Sequence, residues 1–148
     1  MEELNDLYQE IILGHNKRPR NEGELEGWTH EAEGYNPLCG DRVHVFLKVA
    51  NGMVEHVKFR GDGCAISRAS ASMMTERLKG CPVAEIETRV KQVVEMLANR
   101  DAPVMELENV GDLAALAGVR QFPARIKCAT LAWHAASEAL ETGAKSQA

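Results

Sequence analysis

No stretch of this sequence approaches the ~20 consecutive apolar residues a membrane helix requires, so a membrane-spanning protein is not expected. The N-terminus opens Met-Glu-Glu, without the basic region and apolar run of a secretory signal. Basic charge is not in excess: 17 Lys and Arg face 22 Asp and Glu, a formal net charge of -5. That balance argues against nucleic acid as a partner. A basic protein surface would suit it better. No internal repeat is visible. The four cysteines include no Cys-x-x-Cys pair, which weakens the case for a structural zinc-binding interaction module. Without export signals they read as reduced cytoplasmic thiols, not as a two-disulfide framework.

The 148 residues suit a single domain, 1–148, that can bury a core without disulfides. Leu4, Leu7, Tyr8, Ile11 and Ile12 follow helical spacing, and that helix stops before Pro19. Residues 22–40 are rich in Gly and Glu and leave room for one short strand, around Trp28 to Ala32. Val43, Val45, Leu47 and Val49 alternate with His44, Phe46 and Lys48, which predicts a strand. Asn51-Gly52 signals a tight hairpin. Val54, Val57 and Phe59 form the return strand, less cleanly alternating, and Gly61-Asp62-Gly63 ends the sheet.

Beyond Cys64 the period becomes helical. Ile66, Ala69, Met73 and Arg77 define one helical face, and Gly80 ends that helix. Pro82 opens a second helix, along Val83, Ile86, Val90, Val93, Val94 and Leu97. Asp112 is placed to cap a short helix through Leu116 that Gly118 stops. Pro123 opens a last helix with Ile126, Thr130, Trp133, Ser137 and Leu140 on one face. The tail 143–148 is polar and expected to fray. The fold class is α+β: a small antiparallel sheet of about three strands packed against several helices.

Three cysteines stand in distinctive surroundings. They are Cys39 in Asn36-Pro37-Leu38-Cys39-Gly40-Asp41, Cys64 in Gly61-Asp62-Gly63-Cys64, and Cys128 in Phe122-Pro123-Ala124-Arg125-Ile126-Lys127-Cys128. All three fall at element boundaries, where sites are commonly built. Glycines, a helix start and the basic neighbours Arg125 and Lys127 favour thiolates. With Asp41 they could supply four ligands to one soft metal ion. Cys81, before Pro82, reads as an inert buried thiol. His15 reads as a structural or interface residue, and His30, His44, His56 and His134 fit no zinc spacing with the cysteines.

These segments resemble the U-type iron–sulfur cluster assembly proteins, and within them the SufU-like branch. His15-Asn16-Lys17-Arg18-Pro19-Arg20-Asn21-Glu22-Gly23 is similar to the family's N-terminal signature, and the three cysteine segments follow in the family's order. Lys127 stands where the IscU-like branch has histidine. Residues 100–119 look like the insertion of the SufU-like branch. The resemblance implies zinc held by Cys39, Asp41, Cys64 and Cys128, with Arg125 and Lys127 as supporting charge. It also implies a pyridoxal-phosphate cysteine desulfurase of the SufS type as partner, and a SufB-containing scaffold as recipient of the sulfur. In the expected step a partner group displaces Cys39 from the metal, and the freed thiolate accepts persulfide sulfur. An IscU-type scaffold would use the same residues for a transient [2Fe–2S] cluster or iron. A monomer or weak dimer is expected, and the role is that of a sulfur acceptor and desulfurase activator more than a stand-alone enzyme.

Overall fold

The computed structural model describes residues 2–38, 40–99 and 111–144. Helix α1 covers Glu2–Lys17, followed by strands β1 (His30–Asn36), β2 (Asp41–Ala50) and β3 (Met53–Asp62). Helices α2 (Ala65–Leu78) and α3 (Val83–Ala98) come next, then a 3-10 segment, Gly111–Gln121, and helix α4 (Pro123–Thr142). The sheet is antiparallel in the order β1-β2-β3. Among the described residues no helix is long and apolar enough to cross a membrane.

β2 and β3 form the hairpin that Asn51-Gly52 predicts. Asn51 (φ 54°) and Gly52 (φ 76°) both adopt left-handed backbone, as a type I′ turn demands. β3 alternates poorly because a register shift falls between Lys48 and Val49, which pair with His56 and Val54. Glu55 is the extra residue of this bulge, so Val54 and Val57 both reach the core face. β1 begins later than the sequence suggests, at His30, and runs on to Asn36 because it pairs with β2 as far as Asp41.

Val43, Val45, Leu47, Val57 and Phe59 are buried in the main core. Phe46, read as the outward partner in the alternation, is also buried at 1% exposure. Trp28 lies over it with ring centroids 6.5 Å apart, and His44 stacks on it at 4.2 Å.

α2 is the central helix. Ser67, Ala69, Ser70, Ala71, Ser72, Met73, Met74, Thr75 and Leu78 are all buried, so nearly its whole circumference is covered. This corrects the single face read from Ile66 to Arg77, both of which remain partly exposed. Small side chains let neighbouring elements approach from every direction. The same holds on α4, where Ala129, Ala132, Ala135, Ala136 and Ala139 are buried beside Trp133. Ile126, Ser137 and Leu140 of the predicted face lie only partly buried. Ser70 joins the two helices: its hydroxyl donates to the Ala129 carbonyl and accepts the Trp133 Nε1–H at 2.9 Å.

Two further readings change. The segment after Asp112 does not stop at Gly118 but coils on to Gln121 as a 3-10 helix. Leu113, Leu116 and Val119 recur every three residues and are all buried, which matches three residues per turn. Asp112 turns its carboxylate to His15 at 2.7 Å. The tail is also tied down further than composition implies. The Gly143 carbonyl accepts the Glu31 N–H at 2.9 Å, and Ala144 bridges His30.

Candidate metal centre

Three chain segments meet at one end of the sheet. The first is the link between β1 and β2, closed by the pairing of Asn36 with Asp41. Asn36 Oδ1 accepts the Leu38 N–H at 3.1 Å, an Asx turn that bends the chain away from β1. Gly40 has φ 75°, a conformation that glycine takes without strain, and its N–H reaches the Asn36 carbonyl at 2.8 Å. Cys39, predicted as ligand and sulfur acceptor, lies outside the described residues. Asp41 follows as the first residue of β2 and is 1% exposed.

The second segment brings Cys64 to the start of α2. Cys64 is the N-cap residue, with extended backbone at φ -72° and ψ 167°. Its sulfur accepts the Ser67 N–H at 3.4 Å, taking the place a serine or aspartate oxygen usually fills. The sulfur therefore sits on the positive end of the helix dipole, where negative charge is stabilised. The Cys64 N–H donates to Asp41 Oδ1 at 2.9 Å, and its thiol faces Asp41 Oδ2 at 3.7 Å. Gly63 makes this approach possible: a Cβ there would stand 2.4 Å from Asp41 Oδ1.

The third segment is the beginning of α4. Phe122 precedes the helix, Pro123 fills its first position, and Cys128 follows at 1% exposure. Its sulfur lies 3.9 Å from the Ala124 carbonyl. The ligand atoms of Asp41, Cys64 and Cys128 all lie within 4.8 Å of one another. Two sulfurs and one carboxylate, held this close by strand, N-cap and helix, suit a borderline-soft divalent ion.

Arg125 and Lys127 are exposed on the opening turns of α4. Arg125 precedes Cys128 by three residues and so shares its side of the helix; Lys127 is rotated from it by about 100°. Cys81 is buried beside the Arg77 carbonyl at 3.4 Å and belongs to no ligand group among the described residues. Burial pushes its thiol pKa up, against the opposing pull of Arg89. His44 is occupied with Glu31 at 3.0 Å, and His30 with Thr29 at 2.8 Å.

The N-terminal signature has a role that motif reading leaves open. Arg20 N–H donates to Ser72 Oγ at 2.8 Å, and Asn21 Nδ2 to Thr75 Oγ1 at 2.9 Å. Asn21, at φ 57°, then turns the chain so that its carbonyl and the Gly23 N–H bond to Phe59 on β3. The signature therefore ties α2 to the edge of the sheet. The buried Ser and Thr of α2 were the available signal, since buried hydroxyls require partners.

Residues 7–141 match the NifU-like N terminal domain family. The chain is 42% identical over 140 residues to the zinc-dependent sulfurtransferase SufU of Bacillus subtilis, covering 95% of this chain and 90% of that protein. It is 37% identical over 147 residues to the iron-sulfur cluster assembly scaffold protein IscU of Streptococcus pyogenes, covering 99% and 91%. The crystal structure of a nitrogen-fixing NifU-like protein (N-terminal) from Brucella abortus superimposes with a TM-score of 0.82 at 26% identity, covering 93% of this chain and 94% of that one. The match spans sheet, helices and all three cysteine segments, and the chain belongs to the NifU-like N-terminal domain family of iron–sulfur cluster assembly proteins.

Proposed function

We propose that this protein is a zinc-dependent sulfurtransferase that accepts persulfide sulfur during iron–sulfur cluster assembly. Cys39, Asp41, Cys64 and Cys128 are the residues that would hold zinc, and Cys39 is the sulfur acceptor. The observation that carries this reading is the convergence of Asp41, Cys64 and Cys128 on one point, beside the short link that includes Cys39. The likeness to the Bacillus subtilis zinc-dependent sulfurtransferase supports it.

Zinc, when bound, supplies a redox-inert charge that keeps thiolates ionised without oxidising them. The chain itself does the positioning. The Cys64 N–H orients the Asp41 carboxylate, and the Ser67 N–H orients the Cys64 sulfur. The Cys39 thiolate attacks the outer sulfur of a persulfide on a SufS-type pyridoxal-phosphate cysteine desulfurase. A bond forms between Cys39 and that sulfur as its bond to the desulfurase cysteine breaks. The desulfurase cysteine leaves as a thiolate, and no external oxidant is needed. Arg125 and Lys127 offset the negative charge of the new persulfide. The sulfur then passes to a SufB-containing scaffold. The setting is the cytoplasm, and the protein acts as a monomer or weak dimer.

Alanine production by the cognate desulfurase, with and without the zinc-loaded protein, tests this. Strong stimulation that Cys39→Ala abolishes is the expected result. Full sulfur acceptance by Cys39→Ala with zinc still bound would refute the assignment of Cys39. A second reading, a scaffold that assembles a [2Fe–2S] cluster, is favoured by the likeness to the Streptococcus pyogenes scaffold over 99% of the chain. No stimulation, with a stable cluster forming from iron and sulfide, would establish that reading instead.

A further inference from the structure

On the zinc-binding reading above, we propose that Arg68 is a positioning residue of the cysteine centre. It clamps the 61–64 loop and so fixes where Cys64 presents its sulfur.

β3 is an edge strand, since the sheet runs β1-β2-β3. The outward N–H and carbonyl groups of an edge strand recur at alternate residues and need partners from elsewhere. At Phe59 the N-terminal signature supplies them. The Phe59 N–H donates to the Asn21 carbonyl at 3.1 Å, and the Gly23 N–H donates to the Phe59 carbonyl at 2.7 Å. Two residues on, at Gly61, the Arg68 side chain takes over. Its Nη1 donates to the Gly61 carbonyl at 3.0 Å, and its Nη2 meets Glu22 Oε2 at 2.8 Å. One guanidinium therefore joins the helix that Cys64 caps, the strand end that leads to Cys64, and the signature segment.

The backbone of Arg68 completes the clamp. Its N–H donates to the Cys64 carbonyl at 3.1 Å, so Arg68 grips the chain at Gly61 and at Cys64, on both sides of Asp62-Gly63. Between those two points Gly63 packs on Asp41 with no space for a Cβ. Asp41 limits the loop at Gly63, and Arg68 holds it at either end. The 2.9 Å bond from the Cys64 N–H to Asp41 depends on both constraints.

Arg68 is 26% and Glu22 39% exposed. A half-exposed ion pair contributes little by itself. Here the same guanidinium also serves a backbone carbonyl, and its planar fork meets the two acceptors at fixed angles. Lysine would keep the charge and lose the fork.

The test compares the full chain with Arg68→Met, Arg68→Lys and Glu22→Gln. Metal-free proteins are titrated with Zn(II) against a chromogenic chelator, and with Co(II), whose absorption reports thiolate ligation and its geometry. Zinc affinity should fall about tenfold in Arg68→Met, the low end of the range for losing a group that orients a ligand, and the Co(II)–thiolate bands should shift or weaken. Arg68→Lys should recover part of the affinity, and Glu22→Gln should fall between Arg68→Met and the parent. Adding Glu22→Gln to Arg68→Met should cost little more, because the two side chains act as one unit. A merely stabilising Arg68 would lower Tm in Arg68→Met and leave zinc affinity and the Co(II) spectrum of the folded protein as in the parent. That result overturns the proposal. A parent chain that binds no Co(II) through sulfur would overturn the zinc reading itself, and the role of Arg68 with it.

Discussion

Replacing Gly63 with alanine isolates the geometry of the cysteine centre in one methyl group. Gly63 is not among the residues with positive φ, so alanine meets no backbone strain there. What it meets is Asp41: the new Cβ would stand 2.4 Å from Oδ1 and 3.0 Å from the carboxyl carbon. Ordinary contact begins near 3.4 Å, so the carboxylate must retreat by about 1 Å or the 62–64 backbone must bow outward. Asp41 is 1% exposed and has little room to retreat. Either movement stretches the 2.9 Å bond from the Cys64 N–H. A hydrogen bond to a charged group contributes about 1.5–3 kcal/mol, and that is the expected loss of stability. The midpoint of thermal unfolding should fall by about 2–4 °C for each kcal/mol. Zinc affinity, measured by competition with a chromogenic chelator, should fall about 10–100-fold, the range typical when a group that orients a ligand is lost. Wild-type zinc affinity in a folded Gly63→Ala protein would refute the argument that Asp41 is held for the metal by this contact.

Stripping the metal gives a second check. A ligand that binds only the folded chain stabilises it by about 2.7 kcal/mol at one hundred times its Kd, so chelation should lower Tm and zinc should restore it. Gly143→Ala should destabilise by roughly 1–3 kcal/mol in denaturant melts, since its Cβ would collide with backbone, the Glu31 carbonyl and Ala139. An unchanged midpoint would show that the 143–144 segment does not pack on β1. Cys81 should resist alkylation near neutral pH while Cys64 in the zinc-free protein reacts, as peptide mass mapping would show. Its raised folded pKa favours the fold below the unfolded thiol value of about 8.5, and that contribution is lost as pH climbs through the folded value. Cys81→Ala should therefore lose less stability than the parent on alkaline titration, and an equal loss would contradict the burial argument.

Periodicity exposed the sheet and the main helices, because Val43, Val45 and Leu47 or Ile86, Val90 and Val93 each bury one face. It failed where the buried side chains are small or polar. Ser67, Ser70, Ser72 and Thr75 look like a solvated surface in sequence, yet they are buried on a helix covered over most of its circumference. The bulge at Lys48/Val49 was visible only as untidy alternation in β3, because pairing register is a property of two strands. The cysteine motifs were legible individually, and Asp41 was legible through its loop. That Gly63 clears the way for Asp41, and that His15 meets Glu76 and Asp112, depends on approaches between distant segments.

The proposed ligands at one end of the sheet would also set an order of events for a newly made chain. Asp41 and Cys128 are 87 residues apart (128 - 41), and Cys64 presents its sulfur only once α2 has begun. Closing so long a loop has an entropic cost that the packed core must meet before the metal can contribute. A chain emerging from the ribosome offers scattered thiols until α4 docks against β1 and β2. The centre should then assemble after the core, at the close of folding, and a chain arrested before Cys128 would have two of the three converging donors and no centre to load.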